Sequence, residues 1–204
     1  MKDWRIYVSK FENQIQDDGP DPQTCITAAV QSAVSILQED GFHILDADYS
    51  RRFTGLMSGT GNGGNTILNV IESVKRDGLV LEEIFPTVGT VPIFTIGEVQ
   101  RRGQMWKKEW LFNAKEILDP IQGLKSSPVL VTVFAWAFDG GAYIDPLGIG
   151  DNHVCLLLYA DEEYFYVLDS YDPFIKKLRR NYKFDRAFSF SIKKRTIWNT
   201  LICG

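Results

Sequence analysis

The order of residue patterns along this chain predicts an α+β fold built of two lobes that meet at a cleft. Helical spacing of apolar residues dominates the N-terminal half, whereas β-branched and aromatic residues dominate from Pro128 onward. The chain has 204 residues, 45% of them hydrophobic, which is enough apolar material for one domain with two lobes. We therefore expect residues 1–204 to form a single domain, with a helical lobe over about 20–125 and a strand lobe over about 126–195 plus the N-terminal segment.

Two helices are predicted with clear start and stop signals. The first begins at Asp21-Pro22, an N-cap followed by proline at the first helical position, and ends near Gly41. Its apolar residues recur with helical spacing at Ile26, Ala29, Val30, Ala33 and Leu37. The second helix begins near Asn65 or Thr66 and ends at Gly78.

Strands are predicted in the second half of the chain, after a weaker helical pattern over residues 113–122. Residues 129–135, 153–160, 164–168 and 184–192 combine β-branched or aromatic residues with short flanking turns. A short acidic turn separates the second of these strands from the third. The two strands should therefore pair as a hairpin.

Charge and hydropathy make two classes of partner improbable. The chain carries 26 acidic and 22 basic residues, so it lacks the basic excess of a nucleic-acid-binding protein. It has no apolar run long enough to span a bilayer, and its polar N-terminus lacks the apolar region of a signal peptide. We therefore expect no nucleic-acid partner and no association with a membrane. We also expect the protein to stay in the compartment in which it is synthesised.

Cysteine usage points away from disulfides and metals. The three cysteines, Cys25, Cys155 and Cys203, are too few for a disulfide framework, which favours a reducing compartment. Because the chain has no CxxC pair and only two histidines, we expect no structural zinc and no cofactor. Cys155 lies within an apolar run and is predicted to be a core residue.

Three residues are placed as a nucleophilic triad would require. Cys25 lies near a helix start, where the positive end of the helix favours a thiolate. His153 opens a strand directly after a loop, and Asp169 ends the next strand of the predicted hairpin, which should return it beside His153. Taken singly, each has an ordinary alternative, a small core residue or a hydrogen-bonded polar group. Their joint spacing, about 130 and about 145 residues after the cysteine, favours the catalytic interpretation.

Five segments in the same order resemble the papain-like cysteine peptidase family, with the phage-encoded or bacterial members most alike. They are Pro22-Gln23-Thr24-Cys25, Asn62-Gly63-Gly64-Asn65, Asp77-Gly78-Leu79-Val80, Asn152-His153-Val154 and Leu168-Asp169-Ser170-Tyr171. The resemblance implies a helical lobe and an antiparallel, β-barrel-like lobe with the active site in the cleft between them. It also implies that Cys25, His153 and Asp169 are catalytic.

The resemblance also assigns substrate contacts, and it has departures. Gly63, Gly64 and Asn152 are implied as substrate-binding residues, and a simple turn is the alternative for the two glycines. Asp169 replaces the usual asparagine, and its charge should favour the imidazolium partner of a thiolate. Tyr171 stands where the family usually has a tryptophan that covers the histidine pair.

The oxyanion donor is open between several glutamines. The family places a glutamine upstream of the cysteine, where it helps to stabilise the tetrahedral oxyanion. Gln14 fits if the intervening loop is longer than usual, and it is our assignment. Gln16 and Gln23 are rivals, and loss of the donor is a further alternative.

These features support two main classes of function. The first is an endopeptidase that cuts a polypeptide substrate through an acyl-enzyme. The second is a non-catalytic structural or binding component with the same fold, for instance in a phage particle with other phage structural proteins. An amidase or acyltransferase would use the same chemistry on another acceptor. The expected location is the cytoplasm of the producing cell or a virion.

Overall fold

The computed structural model describes residues 1–8, 24–61, 63–90, 95–146 and 149–196. Within these ranges it has a short 3-10 helix (Trp4–Tyr7), five α-helices and eight β-strands. The α-helices are α1 (Cys25–Phe42), α2 (Arg51–Ser58), α3 (Ile67–Asp77), α4 (Ile96–Glu109) and α5 (Pro120–Gly123). The strands are β1 (Trp110–Glu116), β2 (Val129–Val133), β3 (Ala137–Asp139), β4 (Ala142–Ile144), β5 (His153–Ala160), β6 (Tyr164–Leu168), β7 (Ile175–Arg179) and β8 (Ala187–Lys194).

The two clearly predicted helices are confirmed as α1 and α3. Thr66 caps α3 by accepting a hydrogen bond from the Asn69 N–H at 3.2 Å. Gly78 ends α3 with φ +77°, and a Cβ there would lie 2.0 Å from the Gly103 carbonyl oxygen. This position therefore requires glycine both for its backbone conformation and for the close approach of α4. Helix α1 continues through Gly41 and ends at Phe42, with His43 as its C-cap.

The predicted helix over residues 113–122 is wrong. Residues 110–116 form β1, which pairs with β8 in antiparallel register, and only the short α5 follows. Phe112 lies on the inner side of β1 and stacks on Phe190 of β8, with ring centroids 5.9 Å apart. Pairing with β8 and burial of Phe112 therefore outweigh the local helical spacing.

The strands form one sheet that is open among the described residues. Its order is β1-β8-β2-β5-β6-β7-β4-β3, with one parallel pair, β4 and β7. The expected β-barrel-like closure is not seen among the described residues: the sheet consists of mainly antiparallel pairs, and β1 and β3 remain its two edges.

The central strands carry the core. Every residue of β2 is buried, and β5 is buried almost throughout its length. The predicted β5–β6 hairpin is confirmed, with an irregularity in register between Leu157 and Tyr159. Helix α1 packs on this sheet through fully buried residues such as Val30, Ala33 and Val34. The start of α1 and the start of β5 are thereby brought to one region. None of the helices in the described ranges is long and apolar enough to cross a membrane.

Candidate active site

Cys25 is the first residue of α1 and is partly exposed. Its neighbour Thr24 is the N-cap but makes no capping hydrogen bond through its side chain. The first-turn N–H groups therefore have no capping oxygen from Thr24, and they add to the positive end of the helix beside the thiol. The Asp21-Pro22 start signal lies outside the described residues.

His153 and Asp169 are in direct contact. His153 is the first residue of β5, and Asp169 follows the last residue of β6, so the hairpin returns the carboxylate to the imidazole. The distance from His153 Nε2 to Asp169 Oδ1 is 2.6 Å, and both side chains are buried. This contact leaves Nδ1 as the ring nitrogen free to face a thiol. The thiol of Cys25 interacts with the same imidazole and favours its protonated form.

A buried lysine, which the sequence analysis did not identify, completes the group. Lys176 Nζ lies 2.8 Å from Asp169 Oδ2, and the two side chains are 1% and 0% exposed. The contact is chiefly an ion pair, because Oδ2 makes no hydrogen bond of good angle among the described residues. A signal was present: Lys176 alternates with Leu178 on the inner side of β7, whereas Lys177 and Arg179 point outward.

Aromatic rings enclose the imidazole. The Trp136 ring lies edge-on to His153 with centroids 5.7 Å apart, and the Tyr171 ring is tilted against it at 5.3 Å. Tyr171 thus contacts the histidine as the resemblance suggested, and Trp136 supplies a second wall from another segment. These rings exclude water from the histidine and so strengthen its electrostatic interactions.

Cys155 lies beneath the imidazole. It follows His153 by two residues on β5, and ligand-type atoms of His153, Cys155 and Asp169 all lie within 4.8 Å of one another. Burial raises the pKa of the Cys155 thiol to about 12, so this cysteine is neutral near neutral pH. A cation bound here would compete with the Lys176 ammonium for Asp169, which argues against a metal site.

The charges in the cluster shift both partners of the His153–Asp169 pair. Burial alone would raise the pKa of Asp169, but the hydrogen bond and charge of His153, together with Lys176, lower it below 3.8. Burial likewise opposes protonation of His153, yet the pKa of this histidine is raised above 6.5. Since Cys155 is a neutral thiol, we attribute the rise near neutral pH to the Asp169 carboxylate, which accepts a hydrogen bond from the ring.

These directions predict how stability depends on pH. The raised pKa of His153 gives stabilisation that is fully present below about 6.5 and is lost as pH rises through the folded-state value. The lowered pKa of Asp169 gives stabilisation that is present above 3.8 and is lost as pH falls. We therefore expect the melting temperature to decline above about pH 6.5, and His153→Gln to flatten that decline.

Melting curves of the two proteins between pH 5 and pH 9 measure this effect. The matched control is His43→Asn, at the exposed left-handed end of α1, where asparagine tolerates the backbone conformation. The control should keep the wild-type slope. An identical slope in His153→Gln would contradict a proton held by His153 in the folded state.

The predicted substrate contacts have these positions. Gly61 and Gly64 pair with each other in a tight turn, the Gly64 N–H donating to the Gly61 carbonyl at 2.9 Å, and Gly64 has φ +82°. Gly63 is exposed at the tip of this turn. Asn152 is exposed, and its Oδ1 accepts a hydrogen bond from the Ala135 N–H at 2.8 Å, which tethers the segment that carries Trp136.

The candidate oxyanion glutamines cannot be placed in the same way. Gln14, Gln16 and Gln23 all lie outside the described residues. The structure therefore brings together Cys25, His153 and Asp169 and adds Lys176 to them. The choice among the glutamines stays a prediction.

Comparison with solved structures identifies the fold. The chain is similar to a cysteine protease of Carica candamarcensis solved in complex with E-64, at 17% identity, a TM-score of 0.69, and coverage of 95% of this chain and 98% of that one. Bromelain from Ananas comosus gives 16% identity and a TM-score of 0.68, with coverage of 93% and 97%. Xylellain, a cysteine protease from Xylella fastidiosa, gives 15% and 0.63, with coverage of 97% and 91%.

These similarities establish the papain-like fold that the sequence segments suggested. The sequence matches no family model and no curated protein. None of the three structures is described as a phage protein or as part of a virion, so the expected phage setting gains no support from them.

Proposed function

We propose that this papain-like chain is a cysteine peptidase that hydrolyses polypeptides with Cys25 as nucleophile, His153 as acid and base, and Asp169 as the orienting group. The observation that carries the proposal is the buried imidazole, held by Asp169 through Nε2 at 2.6 Å and in interaction with the thiol at the start of α1. This is the arrangement of nucleophile, base and orienting group that covalent acyl transfer requires.

The chemistry follows from these positions. The Cys25 thiolate attacks the scissile carbonyl carbon, and the electron pair of the C=O bond moves to the oxygen. When the tetrahedral species collapses, the C–N bond breaks and the His153 imidazolium gives its proton to the leaving amine. His153 then removes a proton from water as the water attacks the thioester carbon. The C–S bond breaks, which releases the acid and restores the Cys25 thiolate beside the protonated His153.

The oxyanion needs donors at the start of α1. The Cys25 N–H lies in the first turn, where backbone N–H groups have no intrahelical acceptor, so it is suited to this role. We assign the second donor to Gln14, as the resemblance implies. Gly63, Gly64 and Asn152 are assigned to contacts with an extended peptide.

The energetics of the cluster also favour catalysis over a purely structural role. Burying an imidazole, a carboxylate and an ammonium together carries a desolvation cost that well-packed apolar residues of similar volume would avoid. A scaffold gains nothing from such a cluster beside a partly exposed thiol. A peptidase gains from it, because perturbed titratable groups in contact with a nucleophile are typical of sites of acyl transfer.

Thiol alkylation tests the proposal directly. At pH 7 we expect iodoacetamide to modify Cys25 at least about tenfold faster than Cys155 or Cys203, because Cys25 is partly exposed at a helix start beside His153. Peptide mass spectrometry of the digested protein measures the rate at each cysteine. His153→Ala should remove the advantage of Cys25. Equal rates at Cys25 and Cys203 in the wild type would overturn the assignment of the nucleophile.

A further inference from the structure

We propose that Lys176 is a positioning residue: its ammonium, bound to Asp169, limits how strongly the carboxylate retains the proton on His153. The inference rests on the proposed function for its catalytic meaning, but the contact itself is independent of it. Lys176 is also the member of the cluster that the family resemblance did not assign.

Lys176 occupies a site built for an ammonium. In addition to its ion pair with Asp169, its Nζ donates to the backbone carbonyls of Tyr171 at 2.6 Å and Pro173 at 2.8 Å. The Trp136 ring centroid lies 5.3 Å from Nζ, within the range of a cation–π contact. The side chain is therefore fixed, and it cannot leave Asp169 for solvent without breaking several contacts.

The carboxylate is shared between two cations. Oδ1 faces His153 at 2.6 Å, and Oδ2 faces Lys176 at 2.8 Å. A lone buried carboxylate would hold the imidazolium proton tightly, and an acid that holds its proton too tightly is a poor donor to the leaving amine. The positive charge of Lys176 offsets part of that pull. The Asp169–Lys176 pair thus orients the imidazole with little net charge beside it, as the family's usual asparagine does with a neutral side chain.

Groups from several elements face His153, and any pH dependence must be assigned among them. The groups are Cys25 from α1, Cys155 from β5, Asp169 and Tyr171 after β6, and Trp136 after β2, while Lys176 of β7 acts on the imidazole through Asp169. Of the two cysteines, Cys155 is neutral near neutral pH because it is buried. The charge that distinguishes the variants below is therefore that of Lys176.

The test is the titration of His153, read by NMR of histidine-labelled protein. The chain has only two histidines, so His43→Asn assigns both signals. The first comparison is between Asp169→Asn and the double variant Asp169→Asn/Lys176→Met. In the single variant the Lys176 ammonium remains without its counter-charge and disfavours the imidazolium. We therefore expect the titration midpoint of His153 to be about one pH unit lower in the single variant than in the double variant. Independently, Lys176→Met alone should raise the midpoint above that of the wild type. Both comparisons, single against double variant and Lys176→Met against wild type, measure the effect of the Lys176 charge. Either comparison is therefore sufficient if a variant in the other fails to fold.

A matched control separates position from charge. Lys177→Met removes a lysine from the adjacent, outward position of β7, and the His153 midpoint should stay at the wild-type value. If Asp169→Asn and the double variant titrate at the same pH, Lys176 has only a structural role and the inference is wrong. Should the chain prove inactive, the NMR result would still decide the role of Lys176. With activity, the alkaline limb of kcat/KM should move in the same direction as the midpoint.

Discussion

Replacing Cys25 with alanine is expected to lower the hydrolysis of an unfolded protein substrate by about a thousandfold or more, because removing the nucleophile of a triad removes the covalent route. The melting temperature should stay nearly unchanged. Cys25 is partly exposed at the end of a helix, so the loss of its sulfur creates little cavity. Release of acid-soluble peptides from a denatured protein, together with thermal unfolding, measures both effects.

The other described cysteine is the matched control for this experiment. Cys155 is fully buried on β5, so Cys155→Ala should leave a small cavity and cost about 1 kcal/mol of unfolding free energy. It should retain most activity, because the Asp169 contact that orients His153 does not depend on it. Cys25→Ala and wild type that are equally inert against several denatured proteins would contradict the peptidase. In that event the structural or binding role would be the better interpretation.

The sequence was informative where local geometry determines proximity. Two strands joined by a short acidic turn must pair, so the start of β5 and the residue after β6 lie side by side, which is how His153 and Asp169 were expected to meet. Cys25 could be placed near a helix start from the Asp21-Pro22 signal and the helical spacing of the apolar residues that follow it. The meeting of Cys25 with His153 depends on packing between distant elements, and there the spacing of the segments and their resemblance to a family were needed.

Other parts of the fold carry weaker or conflicting signals. Helix α4 begins with a capping box, in which Thr95 and Glu98 satisfy each other's backbone donors, and the spacing of this threonine and glutamate is a start signal that the sequence carries. Residues 110–116 have helical spacing but form the edge strand β1, because β8 offers them a partner that the local sequence does not reveal. The predicted last strand is shifted, since β8 begins at Ala187.

The role of Lys176 could not be inferred without the sheet. In the segment Ile175-Lys176-Lys177-Leu178-Arg179, three cations make a solvated surface the ordinary interpretation, since buried lysines are rare unless paired. Strand alternation in β7 turns one of these cations inward, and its buried position is tolerated because Asp169 is there to receive it. Asp169, which replaces the family's asparagine, and Lys176, which neutralises it, therefore form one buried ion pair beside His153.

The largest expected effect on stability comes from removing that aspartate without replacing its charge. Asp169→Ala leaves the ammonium of Lys176 buried with no counter-charge and takes the acceptor from His153 Nε2. Breaking one partner out of a buried pair costs about 3–5 kcal/mol of unfolding free energy. For a chain of this size that corresponds to a melting temperature lower by about 10 °C. Urea unfolding of variant and wild type at pH 7 gives the free-energy difference.

An exposed ion pair involving the same strand provides the control for this measurement. Asp139 lies 3.1 Å from Arg179 at the outer end of β7, with both side chains exposed by more than 40%. Because such pairs contribute about 0–1 kcal/mol, Asp139→Ala should unfold almost as the wild type does. Activity should follow the same division, lost in Asp169→Ala and kept in Asp139→Ala. If the two variants lose similar free energies of unfolding, the Asp169–Lys176 pair is not buried away from water. The explanation of the site by buried charges would then be wrong.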